Sequence, residues 1–245
     1  MPMFKSVISG AAVVFVGSMA TAEPVLPTFD LAIFANPAPN PYIDLTIGWR
    51  QVLTGSGTEN GEPVTETTTQ IVTGDGPVLM GVQTTQIMDQ AIQNGVLVER
   101  TFDYYANDAE GNLWYFGEDV TNYKYDDQGH LIGSDSHSSW RAGDGGAVPG
   151  ISVAAKPVVG LSLFQEMAKE QGATDYFEVI EVDGTLTGPG GTYDHVLKVF
   201  EGSQSELDLR EFKYLVPGLG TVRADDLLSV ARDNPELVIE RPAGL

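Results

Sequence analysis

Cysteine is absent from the 245 residues, which excludes disulfides, thiolate metal sites and a cysteine nucleophile. An attached lipid that needs cysteine goes with them, and packing alone must hold the fold. Histidine is scarce: His130, His137 and His195 are scattered and show neither H-x-x-x-H nor HExxH spacing, so no zinc pattern is present. Positive charge is also short, with 13 Lys and Arg against 34 Asp and Glu and a formal net charge of −21. Such a field repels nucleic acid and anionic membrane surfaces. Exported proteins often carry acidity for solubility alone, so the charge excludes partners better than it identifies one. Neither a Walker loop, nor a G-x-G-x-x-G after a strand, nor a G-x-S-x-G is found, and Ser136 and His137 are adjacent, on opposite faces of any strand. Thus the sequence implies no cofactor, no metal and no named reaction, and an enzyme is the less favoured reading.

The first 22 residues read as a secretory signal: Lys5 as the positive region, Val7 to Met19 as the apolar run, and Ala20-Thr21-Ala22 as an A-x-A cleavage site. Cleavage near Ala22 predicts an exported chain, periplasmic or extracellular, that starts at Glu23. Its formal charge is 12 − 34 = −22, since the signal removes one lysine and no acid. No later segment approaches the roughly 20 apolar residues of a spanning helix, so no transmembrane anchor is expected. Five prolines between Glu23 and Pro41 make an arm (residues 23–41), and residues 42–245 are expected to form a single β-rich domain.

That domain is written in short β-branched and aromatic segments separated by Gly and Asn-Gly. Glu62 to Thr73 has five threonines and two valines in twelve residues and predicts a strand. Asn94-Gly95 predicts a type I′ turn joining Val82–Gln93 to Val96–Tyr105, because both residues take positive φ cheaply. Further turns at Glu110-Gly111-Asn112, Asp127-Gln128-Gly129 and Pro217-Gly218 mark out Leu113–Phe116, Thr121–Tyr125, His130–Ile132, Arg210–Val216 and Gly220–Ala224. Tyr176–Val182 and Tyr193–Glu201 complete a second antiparallel set, and Leu161–Gln171 is read as a strand. Asp225–Asp233 is the best helix candidate, with acids first, Leu227, Leu228 and Ala231 on one face and Arg232 near the end. The fold class expected is all-β: a mainly antiparallel curved sheet or half-barrel with one or two short helices. Its concave side would be partly closed by the Trp140–Ile151 loop.

Asn40–Trp49 (NPYIDLTIGW), Thr101–Tyr123 (TFDYYANDAEGNLWYFGEDVTNY), Ser139–Ile151 (SWRAGDGGAVPGI), the FQE of Phe164–Glu166 and Glu211–Val222 (EFKYLVPGLGTV) resemble, in order, the motifs of a family of uncharacterised exported bacterial proteins. That resemblance covers nearly the whole mature chain and implies no reaction. The ending E-x-K-Y-x-x-PG-x-G is also similar to periplasmic half-barrel proteins of the LolA-like type, which implies a curved sheet able to shelter a lipid or other apolar ligand. Leu215 and Leu219 depart from the first pattern, as does the extra glycine in Asp144-Gly145-Gly146-Ala147.

Three kinds of site can be weighed on the residues. Aromatic rings with polar tips suit an apolar or carbohydrate ligand in a cleft, and Trp49, Tyr104, Trp114, Phe116, Trp140 and Phe164 are the candidate wall. The competing reading of the same rings is a two-layer core with hydroxyls satisfied at its rim. A carboxylate-dependent hydrolase needs an acid and a base in one cavity, with Glu118, Asp144, Glu166 and Glu211 as candidates. Glu211 and Lys213, two apart on a strand, share a face and can equally form a structural pair. Asn107–Asn112 superficially resembles a calcium loop, but aligning its glycine leaves Ala106 and Gly117 at ligand positions, so a hairpin turn is the expectation. The sequence-level reading is non-catalytic binding of a small, apolar or lipid-like ligand in a β groove. The alternatives are the hydrolase and a protein-interaction module whose partner the sequence does not identify.

Overall fold

The computed structural model describes residues 23–59, 62–188, 191–225 and 227–233; the expected signal segment lies outside them. A meander opens the fold: β1 (Arg50–Glu59), β2 (Glu62–Leu79), β3 (Val82–Gln93), β4 (Val96–Asn107) and β5 (Leu113–Tyr125), each paired antiparallel with the next. Asn94 and Gly95 have φ of 50° and 80°, as a two-residue type I′ hairpin requires. The far side of β5 then takes β6 (Leu131–Asp135), β7 (Trp140–Arg141) and β8 (Val148–Val153) at successive positions. After β9 (Ser162–Phe164) and β10 (Glu166–Met167) comes the second set: β11 (Asp175–Gly188), β12 (Gly191–Ser203), β13 (Arg210–Val216), β14 (Gly220–Ala224) and β15 (Leu227–Asp233). Among the described residues helix is confined to three 3₁₀ turns, Leu31–Phe34, Asp144–Gly146 and Lys169–Gln171.

Two expectations need correction. Asp225–Asp233 is a strand from Leu227 onward, because that stretch lies between β1 and β14 and both edges present backbone groups for it to satisfy. Pairing on two sides outweighs a weak helical preference. Leu113–Phe116 and Thr121–Tyr125, expected as separate strands, run on as the single strand β5, and the two ends of Trp140–Ile151 join the sheet beside it as β7 and β8.

The sheet runs in the order β10-β8-β5-β4-β3-β2-β1-β15-β14-β13-β12-β11-β9 and curls into a half-barrel. Register shifts interrupt eight of its ladders, β1/β15, β2/β3, β3/β4, β4/β5, β5/β6, β5/β8, β11/β12 and β13/β14, and each adds local twist. Its outermost strands are consecutive in the chain: Ser162–Phe164 pairs with β11, and Glu166–Met167, one residue later, pairs with β8. One short segment thus ties the two ends of the sheet together. Gly150 is required there, since a Cβ at that position would lie 2.2 Å from the Phe164 carbonyl oxygen.

The proline-rich arm supplies the outer layer. Val25 bridges to Leu163 and covers the β9 edge, donating to Ser162 and accepting from Phe164 at 3.0 Å each. Phe29 and Phe34 then lie on Trp114 and Phe116, edge-on, with centroids 5.5–6.4 Å apart. Asn40, 7% exposed, pins the end of the arm: its Nδ2 donates to the carbonyls of Gly111 and Val153, and its Oδ1 accepts from the amides of Tyr42 and Ile43.

Candidate functional site

Period-two alternation on β4 and β5 separates two faces. Leu113 and Tyr115 point inward with Asp103 and Tyr105, while Trp114 and Phe116 point outward beneath the arm. A bulge at Tyr104/Tyr105 shifts the register so that Asp103 faces Glu118 and Tyr105 faces Tyr115. Gly117, at the bulge with φ 141°, admits β7, since a Cβ there would meet the Trp140 carbonyl oxygen at 2.5 Å.

The inner face is sorted along the strands into an apolar layer and an acidic one. Leu197 faces Leu215 and Tyr105 faces Tyr115, whereas Glu201 faces Glu211, Asp103 faces Glu118 and Gln70 faces Asp89. Between the layers is a cavity of ≈ 90 Å³. Leu53, Ile87, Leu113, Phe177, Val179, Leu197 and Leu215 line its apolar part, and Thr68, Gln70, Asp89, Asp103, Glu201, Glu211 and Lys213 its polar part. Ile43, held by Asn40, and Val153 and Pro157 close one side.

Burial dominates the electrostatics. It pushes Asp89 up to about 6, against the hydrogen bond from Gln70 and the nearby Lys213 charge that pull it back. Asp103 is raised well above the carboxylate range by burial, with the Glu118 and Asp89 charges adding to it, although the Tyr115 hydroxyl donates to it at 2.7 Å. Burial lifts Glu211 to about 8 against the opposing Lys213 charge. Lys213 itself is held protonated: burial pulls it down, but Glu201 at 2.6 Å and Glu211 at 3.4 Å more than reverse that. Deeper along the same interior, burial raises Glu166 to about 8 and Asp175 to about 6. Tyr105 and Tyr115 are raised by the same cause and stay neutral.

None of the six expected wall aromatics lines the cavity. Trp114 and Phe116 are under the arm, and the Trp114 indole donates to Asp108 at 2.8 Å. Tyr104 is on the outer face, donating to Asp119 at 2.7 Å beneath the Arg141 guanidinium, which itself pairs with Asp119. Phe164 packs edge-on against Tyr176 beside the arm. Trp49 precedes β1, where a Cβ on Gly220 would meet its ring at 3.2 Å. Trp140 points inward and packs edge-on against Tyr115 at 5.4 Å. Of the four candidate acids, Glu118, Glu166 and Glu211 are buried in the interior, whereas Asp144 is exposed in a 3₁₀ turn. Only Glu211 of these lines the cavity.

Sequence reading missed Thr68, Gln70, Asp89, Asp103, Glu201 and the position of Lys213 opposite them. The calcium-like loop is instead organised by Asp108, which accepts from the amides of Glu110 and Asn112, the Asn112 side chain and Trp114. Among the described residues no three His, Cys, Asp or Glu side chains are grouped to hold a metal ion. No protein-family model, curated protein or solved structure matches the chain.

Proposed function

We propose that the protein is an exported binding protein that holds a small, partly apolar molecule inside its curled sheet and does no chemistry on it. The carrying observation is the layered cavity: an apolar wall from β1, β3, β5, β11, β12 and β13 meets a polar cluster in one space. Binding sites have this composition, a mostly apolar lining with a few placed polar groups. The size sets the class of ligand. A cavity of about 150 Å³ takes benzene, so ≈ 90 Å³ suits a short aliphatic molecule or the end of a lipid chain.

Native mass spectrometry with solvent extraction tests the reading. The expected result is a small molecule carried through purification, and a Tm raised by short-chain aliphatic compounds. A protein that carries nothing and whose melting responds to none of them removes the proposal. A hydrolase reading draws on the register that sets Asp103 opposite Glu118 inside the sheet. Ester or glycoside turnover abolished by Glu118→Gln would favour it over binding.

A further inference from the structure

We propose that the cavity selects amines: a ligand ammonium donates to Asp89 Oδ1 and Thr68 Oγ1, while its apolar substituent lies against Leu53, Ile87 and Val199. This rests on reading the interior as a binding cavity and adds the chemical class of its ligand.

The geometry comes from two adjacent strands. Asp89 faces Gln70 across β2/β3, so Thr68 is its diagonal neighbour on the same face. Asp89 is 2% exposed and Thr68 6% exposed, and both line the cavity. Asp89 Oδ2 accepts from Gln70 Nε2 at 2.8 Å, but Asp89 Oδ1 and Thr68 Oγ1 have no hydrogen-bond partner. A buried polar atom left unpaired costs about 1–3 kcal/mol, and natural interiors rarely tolerate it without a reason. Two such atoms, on diagonal neighbours that both line the cavity, describe the acceptor side of a recognition site. An ammonium has three N–H donors, enough for both oxygens; a carboxylate or phosphate would meet the Asp89 charge.

Charge balance points the same way. Asp89, Asp103, Glu201 and Glu211 line the cavity, against Lys213 as the one cation among its lining residues. Lys213 is within ion-pair distance of Glu201 and Glu211. A bound cation beside Asp89 meets a carboxylate that is ionised at pH 7.5, above its value of about 6. The ≈ 90 Å³ volume limits the substituent to a few carbons.

Three probes of equal size and different charge separate the possibilities: n-butylamine, n-butanol and butyrate, titrated calorimetrically into the purified protein at pH 7.5. The amine is expected to bind roughly tenfold or more tighter than the alcohol, as a charge-assisted hydrogen bond predicts, with butyrate weakest. Asp89→Asn should bring amine and alcohol to within about threefold of each other. Thr68→Val, nearly isosteric, should weaken the amine several-fold and the alcohol by less, which keeps the test decisive should Asp89→Asn fail to melt cooperatively. Equal binding of amine and alcohol overturns amine selection and leaves the cavity reading standing. Binding of none of the three overturns both.

Discussion

The two faces of β4 and β5 solve opposite problems with neighbouring residues. Outward, Trp114 and Phe116 present broad apolar rings, and the chain covers them with its own arm through Phe29 and Phe34. Inward, Asp103, Tyr105 and Tyr115 join a layer where carboxylates outnumber cations and a space stays unfilled. The conspicuous aromatic ladder is therefore the finished side of the sheet, and the polar interior is the unfinished one. Ligand capacity follows from what the fold leaves unsatisfied, not from where aromatic residues are densest.

The comparison can be broken from either side. Trp114→Ala removes a ring from the arm-covered layer together with its bond to Asp108, and is expected to cost about 3–5 kcal/mol by urea denaturation. It should leave butylamine affinity in the folded protein unchanged, because the ring is on the face away from the cavity. Lys213→Met attacks the inner side. Removing the cation from between two buried glutamates should cost about 3–5 kcal/mol at pH 8 and much less at pH 5, where Glu211, raised to about 8, is protonated.

The inner layer also predicts a pH dependence of definite sign. Carboxyls such as Asp89, at about 6, and Glu211, at about 8, hold their protons more tightly folded than unfolded, where they titrate near 4. Their contribution to stability is complete below about 4 and is lost as pH rises through the folded-state values. Scanning calorimetry should therefore show Tm falling between pH 4 and pH 8, by roughly 5 °C or more. Asp89→Asn should flatten the part between pH 4 and 6, and a Tm that rises over this range would contradict the buried acidic layer. The smallest effect belongs to the outer face again. Arg141→Ala breaks a pair whose side chains are 41% and 42% exposed, and should cost no more than about 1 kcal/mol.

These contrasts explain what the sequence could and could not disclose. Hairpins were legible where a turn demands a particular backbone: Asn94-Gly95 predicted both flanking strands, and Arg210–Val216 and Gly220–Ala224 match their strands end to end. The Leu227–Asp233 strand was not legible, because its conformation comes from partners at Arg50 and Arg223, far off or across a turn. The inner face was hidden for a related reason. The arm makes the outer face as apolar as the core, so alternation along β4 and β5 gives no polar side to mark as solvent. Thr68 and Asp89 then look like ordinary strand positions, and only the assembled register makes them neighbours.

The tie made by Ser162–Met167 also bears on how this chain reaches its native state. Of the pairings that complete the sheet, β1 with β15 joins residues far apart in sequence, Arg50 with Asp233 among them, whereas the β9–β10 segment pairs with β11 and β8 close to it along the chain. High contact order of this kind places folding in the milliseconds-to-seconds range. Local hairpins such as β3–β4 can form within microseconds, but the interior exists only after the last strand has docked. A ligand of this interior would therefore bind late, only after the closing strands have docked.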